Sequence, residues 1–180
     1  MTAPLAAIAL AREVHDCRRC FLATGRTQAV TWRGSLSPGV VLFVGEAPGK
    51  DEDAVGEPFV GPSGQLLQAW IDGPLGLKPG EWLIANAVNC FPHDEYGKPV
   101  PPPLLAVDAC APFLSRLIAI VKPGVIVALG RSAERALERI GISDFLFSYH
   151  PAFYLRSGRP WLEDLTKLGD KIRAVRKVIP

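Results

Sequence analysis

The chain has 180 residues, 48% hydrophobic and 21% charged, with a net charge of +2. Such a length points to one domain, residues 1–180, able to bury about 70% of its unfolded surface. The balance is that of an ordinary globular protein, and the net charge is too small to announce a nucleic-acid binder. The distribution is less even: from Arg156 onward seven basic residues face three acids, which places +4 there and −2 on the rest. A basic end of this kind either contacts phosphates or forms one solvated helix face. Residues 1–10 lack a basic segment followed by a long apolar core, and no apolar run approaches the ~20 residues of a membrane span. The expected location is therefore the cytoplasm, away from membranes, where the four cysteines are not expected to form structural disulfides.

Taken in order, Pro4–His15 predicts a short helix with Leu5, Ile8, Ala9 and Arg12 spaced along one face. Cys17-Arg18-Arg19-Cys20 follows, and residues 21–39 read as loop. Val40–Val44 is an apolar, β-branched run that predicts a buried first strand. It empties through Gly45-Glu46-Ala47-Pro48-Gly49 into the acids Asp51, Glu52 and Asp53. Ser63 is placed to cap a helix over Gly64–Ile71, with Leu66, Leu67 and Trp70 inward. A second strand is predicted over Trp82–Val88, carrying Asn86. Residues 91–103 hold six prolines or glycines and predict irregular structure. A helix over Leu104–Val121, a strand over Val125–Leu129, a helix over Ser132–Ile140, a strand over Phe145–Tyr149 and a helix over Trp161–Lys177 complete the reading.

Strands alternating with helices predict an α/β protein: a three-layer α/β/α arrangement around a central, mainly parallel four-stranded sheet. In such a sheet the strand ends share one edge, where sites are built. Here that edge collects Gly45-Glu46, Asn86, Gly130-Arg131 and His150, which are an acid, an amide, a helix start and an imidazole.

Three familiar chemistries fit poorly. Gly45–Lys50 is one residue short of a phosphate loop and has Asp51 where a magnesium-binding Ser or Thr belongs. Cys17, Cys20, Cys90 and Cys110 lack the paired spacing of a zinc ribbon. The Cys17–Cys20 pair precedes the first strand, which weakens a thioredoxin-like reading. The four cysteines are either buried apolar residues or a four-thiolate metal or iron–sulfur site, and spacing alone does not separate zinc from iron–sulfur. Phe59, between Gly56-Glu57-Pro58 and Gly61-Pro62, is either a stacking platform or a hydrophobic plug under the loop.

The ordered set of these pieces resembles the uracil-DNA glycosylase superfamily, and within it the iron–sulfur group called family 4. The set comprises the C-x-x-C, Gly45–Gly49 with Glu52-Asp53, Pro58-Phe59-Val60-Gly61 with Gly64-Gln65-Leu66-Leu67, Asn86 before Cys90, Cys110, Leu129-Gly130, and His150-Pro151-Ala152 with Leu155-Arg156. The resemblance runs from Cys17 to the last helix.

It implies a monofunctional glycosylase that excises uracil from DNA and initiates base-excision repair as a monomer. It also implies a 4Fe-4S cluster on Cys17, Cys20, Cys90 and Cys110. The target base must leave the stack to be reached. Phe59 would stack on it, Asn86 would read its edge, and Glu52 would stand near C5 and crowd out a methyl group. Glu46 would position water or stabilise the sugar cation, and His150 would bond the developing anion. Ala152, Phe153, Tyr154, Leu155, Arg156 and Arg159 would meet DNA, one of the three large side chains as a wedge and the arginines on phosphates. Asp51 and Asp53 are left as capping or solvated charges.

After Cys90 the chain departs from the family's pattern, reading Phe91-Pro92-His93-Asp94-Glu95-Tyr96, and nineteen residues separate Cys90 from Cys110. Two other functions stay open: a superfamily member with another base preference (hypoxanthine or oxidised pyrimidines), and a non-catalytic iron–sulfur DNA-binding module.

Overall fold

The apolar strands of this chain are short, and each finds a neighbour in one sheet. In the computed structural model, which describes residues 3–178, the elements begin with α1 (Ala3–His15), α2 (Leu22–Gly25), β1 (Trp32–Gly34) and β2 (Val41–Gly45). Next come α3 (Lys50–Val55), α4 (Pro62–Asp72), β3 (Trp82–Asn86), α5 (Leu104–Val121) and β4 (Val125–Leu129). The chain ends with α6 (Arg131–Arg139), β5 (Leu146–Ser148), α7 (Pro151–Ser157) and α8 (Leu162–Val178). Residues 1–2 and 179–180 of the expected domain lie outside the described residues.

The sheet has five strands in the order β1-β3-β2-β4-β5. β3, β2, β4 and β5 run parallel, with Phe43 level with Ile84 and Val127. β1 is antiparallel to β3 and pairs Arg33 with Ile84. The expected four-stranded sheet thus gains an edge strand from a segment read as loop. Three residues are too few for an alternating pattern to declare itself, and β1 exists because β3 offers it a free edge.

Alternate residues of β2 feed opposite cores. Leu42 and Val44 pack with Leu83, Ala85, Ile126 and Ala128 beneath α1, α5 and α6. Val41 and Phe43 pack with Ile84, Val125 and Val127 beneath α4, α7 and α8. Both faces are covered, which explains why β2 and β4 are buried along their whole length. The architecture is the expected three-layer α/β/α.

Local readings shift in several places. α1 buries Ala7, Leu10 and Val14, while Leu5 and Ile8 are exposed, so the face expected to be inward points outward. Both stripes have helical spacing, and contact with α5 selects the one containing Leu10 and Val14. α4 starts two residues early, at Pro62, with Gly61 rather than Ser63 in the capping position. α5 has the length and apolarity of a membrane span, with a mean hydropathy of 1.9 over 18 residues. Its apolar stripe Ala106, Cys110, Phe113, Leu114, Leu117 and Val121 is instead buried in the protein. Ion pairs from Arg116 to Glu13 and from Asp108 to Arg139 link it to α1 and α6.

Candidate active site and cysteine cluster

At the carboxyl edge of the parallel strands lies a cavity of about 390 Å³. Glu46, Glu52, Phe59, Asn86, His150, Ala152 and Arg156 all line it. A larger cavity of about 600 Å³ adjoins it, with Glu46 and Pro102 in both walls. The amide and the imidazole line only the smaller one, so the chemistry is sought there.

The base of this cavity depends on absent side chains. A Cβ on Gly45 would stand 2.4 Å from Asn86 Oδ1 and 2.6 Å from the Phe59 ring. One on Gly64 would lie 1.8 Å from the Phe59 carbonyl oxygen. These two glycines let Asn86 and the Phe59 loop approach β2 and α4. Phe59 itself is buried and has φ +58°, a left-handed conformation that costs of order 1–3 kcal/mol in a bulky residue.

Glu52 holds that conformation in place. Its Oε1 accepts the N–H groups of Val60 and Gly61, each at 2.9 Å, and its Oε2 accepts that of Gly49 at 3.0 Å. The side chain expected only as a wall is therefore also the strut joining the two loops of the cavity. Asp53, expected as a cap or a solvated charge, is instead buried. Its carboxylate accepts the N–H groups of Thr27 and Gln28, which docks the segment after α2 onto α3. A carboxylate on an i, i+3 helical pattern cannot show in sequence that a distant backbone needs it. Asp51 is exposed, as expected.

Asn86 is 3% exposed, and its Oδ1 has no hydrogen-bond partner among the described residues. A buried amide oxygen without a donor costs ~1–3 kcal/mol, which a ligand N–H in the cavity would recover. His150 caps α7 by accepting the Ala152 N–H on Nδ1, at 3.2 Å. That bond puts the imidazole proton on Nε2. Burial, aided by the Arg156 guanidinium, lowers the His150 pKa to about 4, against a weaker opposing pull from Glu52. The ring is thus a neutral hydrogen-bond donor at pH 7, with its centroid 5.6 Å from that of Phe59. The remaining wall comes from Phe91, Pro92, Pro99, Val100 and Pro102 in the segment after Cys90. That segment is braced as a small hairpin by a bridge between His93 and Pro99 and by a bond from Val100 N–H to Pro92.

α7 sorts the residues expected at DNA. Ala152 and Arg156 face the cavity, and Leu155 projects outward at 51% exposure. Tyr154 is turned into the core, where its hydroxyl donates to Asp164 at 2.9 Å, so its ring presents no outer surface. Phe153 stacks on Tyr149 with ring centroids 4.7 Å apart. Arg159 is paired with Asp164 at 3.1 Å.

No cysteine lines the cavity, although Ala47 joins its wall to the patch where the cysteines gather. Cys20, Cys90 and Cys110 share a patch with Leu22, Val88 and Ala106, and Cys17 packs at its border with the neighbouring core. Burial raises the Cys90 and Cys110 pKa values, the latter to about 12, and the other sulfurs add to the rise. Among the described residues no three His, Cys, Asp or Glu side chains are closed up enough to hold one metal ion. Donors nonetheless point at two sulfurs: the Arg19 N–H at Cys17 (3.5 Å) and the Arg26 guanidinium at Cys90 (3.2 Å). Arg26 escaped the sequence reading because nothing local ties it to a cysteine 64 positions away.

Residues 34–168 match the model of the uracil DNA glycosylase superfamily. The chain is 41% identical to a type-4 uracil-DNA glycosylase of Sulfurisphaera tokodaii over 68% of its own length and 54% of the relative's. It is 40% identical to one of Saccharolobus solfataricus over 71% and 57%. The chain therefore spans little more than half the length of these relatives. With one of Thermotoga maritima it is 32% identical, and the match covers 88% of this chain and 90% of the other. By sequence, the chain belongs to the uracil DNA glycosylase superfamily.

Proposed function

We propose that residues 1–180 act as one glycosylase domain that flips uracil out of DNA and hydrolyses its N-glycosidic bond. The observation that carries this reading is the unpartnered Asn86 Oδ1 at the base of a cavity shared with Phe59 and a neutral His150. Uracil N3–H is the donor that oxygen lacks, and the amide's NH₂ suits O4. Cytosine offers the opposite pattern, and such a mismatch at a buried amide costs ~10⁴-fold or more in discrimination. Phe59 stacks on the base, and Glu52 stands by its C5 edge while bracing the loops.

As the C1′–N1 bond breaks, its electron pair moves into the base and collects on O2. The His150 Nε2–H donates to that oxygen without having first to give up a positive charge to the solvent. A water oriented by Glu46 adds to C1′ and gives its proton to that carboxylate, which also offsets the charge developing on the sugar, and the uracil anion takes up a proton from solvent as it leaves. Ala152 and Phe153 shape the rim beside the DNA, Leu155 fills the gap left by the base, and Arg156, with Arg159 behind it, faces phosphates.

Cys17, Cys20, Cys90 and Cys110 fit a 4Fe-4S cluster. Four thiols are the donor set such a cluster takes, two of them are buried among apolar side chains, and N–H donors already aim at two of the sulfurs. When bound, it would tie the end of α1, the segment after β3 and α5 into one unit.

The test is an oligonucleotide carrying one uracil, incubated with the protein and then treated with alkali. Cleavage at the uracil is expected. Asn86→Asp is expected to cut at cytosine as well, and unchanged selectivity in that variant would remove the edge-reading role from Asn86.

A further inference from the structure

Arg26 belongs to neither the cavity nor the expected set of cysteine ligands, yet it is held in a defined position. One guanidinium nitrogen donates to Cys90 Sγ at 3.2 Å, and another donates to the carbonyl of His15 at the end of α1. The next residues, Thr27 and Gln28, are fixed through their N–H groups by Asp53, so Arg26 is anchored from both sides. The other donor at these sulfurs, the Arg19 N–H on Cys17, is a neutral backbone group, and Arg26 supplies a full positive charge.

Resting on the reading that the four cysteines hold an iron–sulfur cluster, we propose that Arg26 is a positioning residue that sets that cluster's reduction potential through the Cys90 sulfur. Reduction adds one negative charge to a cluster and its thiolates. A cationic N–H donor on a ligand sulfur draws density from it and favours the reduced form, and hydrogen bonds and net charge are established levers on such potentials. Arg26 therefore raises the potential above that of the same four-cysteine site without it. Its bond to the His15 carbonyl orients the fork, so the effect depends on the place of the charge and not on net charge alone.

The test compares the iron-loaded parent with Arg26→Gln and Arg26→Lys by protein-film voltammetry, the electrode supplying the electron, with iron content and visible absorbance recorded for each. Arg26→Gln is expected to keep its iron and shift to a more negative potential. Arg26→Lys, which keeps the charge and one donor, is expected to lie between it and the parent. Loaded variants with the parent's potential would overturn the assignment while leaving the cluster intact. Equal shifts in both variants would also overturn it, since the charge would then not be the cause. If Arg26→Gln alone fails to take up iron, Arg26 serves cluster loading and not the potential, and the assignment falls. If both variants fail, Arg26 is a folding residue and the assignment falls. A parent without iron would overturn the cluster reading itself, and this one with it.

Discussion

Gly45 shows how closely the cavity is cut. With a Cβ there, Asn86 and the Phe59 ring would both have to retreat from contacts below 3 Å. Because β2 is buried and paired on both sides, the strand does not yield, and Asn86 and Phe59 do. Misplacement by about 1 Å costs ~10²-fold in a preorganised site. Gly45→Ala should therefore lose at least that much in kcat/KM on uracil-containing DNA while its circular dichroism stays native. Full activity in the variant would show that the cavity is not used as drawn.

His150 makes a second prediction at this scale. Its pKa of about 4 lies below the ordinary 6.5, with burial as the main cause. Protonation requires Nδ1 to release the Ala152 N–H, which uncaps α7. The acid limb of the rate–pH profile should accordingly fall near pH 4, and activity should stay level through pH 6.5. The same linkage runs through stability. Between pH 6.5 and about 4 the unfolded chain binds this proton first, so His150 makes folding less favourable as pH falls across that window and contributes nothing above it. A limb at 6.5, tracked by His150 in a titration followed by NMR, would contradict the neutral ring.

Among the elements, α3 carries more than its six residues suggest. Glu52 braces the cavity loops from one side of it, and Asp53 anchors Thr27 and Gln28 from another. The segment that reaches the cysteines is thereby tied to the helix that shapes the cavity. Removing the Asp53 carboxylate leaves two backbone donors without a partner, at ~1–3 kcal/mol each where they are shielded from water. Asp53→Ala should lower the urea midpoint of unfolding with little change in its slope. It should also weaken iron retention, because Arg26 directly precedes the freed pair. An unchanged midpoint would mean that water replaces the carboxylate and that α3 does not act as a tie.

For the whole molecule, the fold was legible wherever a run of apolar residues was long enough to have a period. β2, β4, α5 and α8 lie within a residue or so of where their patterns put them. The alternating cores above and below the sheet follow from β2 and β3 alone. What escaped was decided by partners. β1 needed the free edge of β3, the buried face of α1 needed α5, and the short helices α2, α3 and α7 needed the loops they brace. The site shows the same division. Glu46, Asn86 and His150 were legible because they end strands that converge on one edge. The structural work of Glu52 and Asp53, the inward turn of Tyr154 and the reach of Arg26 to Cys90 depend on distant backbone or sulfur, and no spacing in the sequence reports them.

The central claim is that this cavity receives uracil and releases it as a free base. It is tested most directly by mass spectrometry of the small molecules formed when the protein is incubated with uracil-containing DNA, alongside Glu46→Ala and His150→Ala. The account predicts free uracil from the parent protein, at least 10²-fold less from either variant, and no free base from the same DNA with thymine in place of uracil. Intact DNA with the parent protein, or equal release from all three proteins, would contradict it.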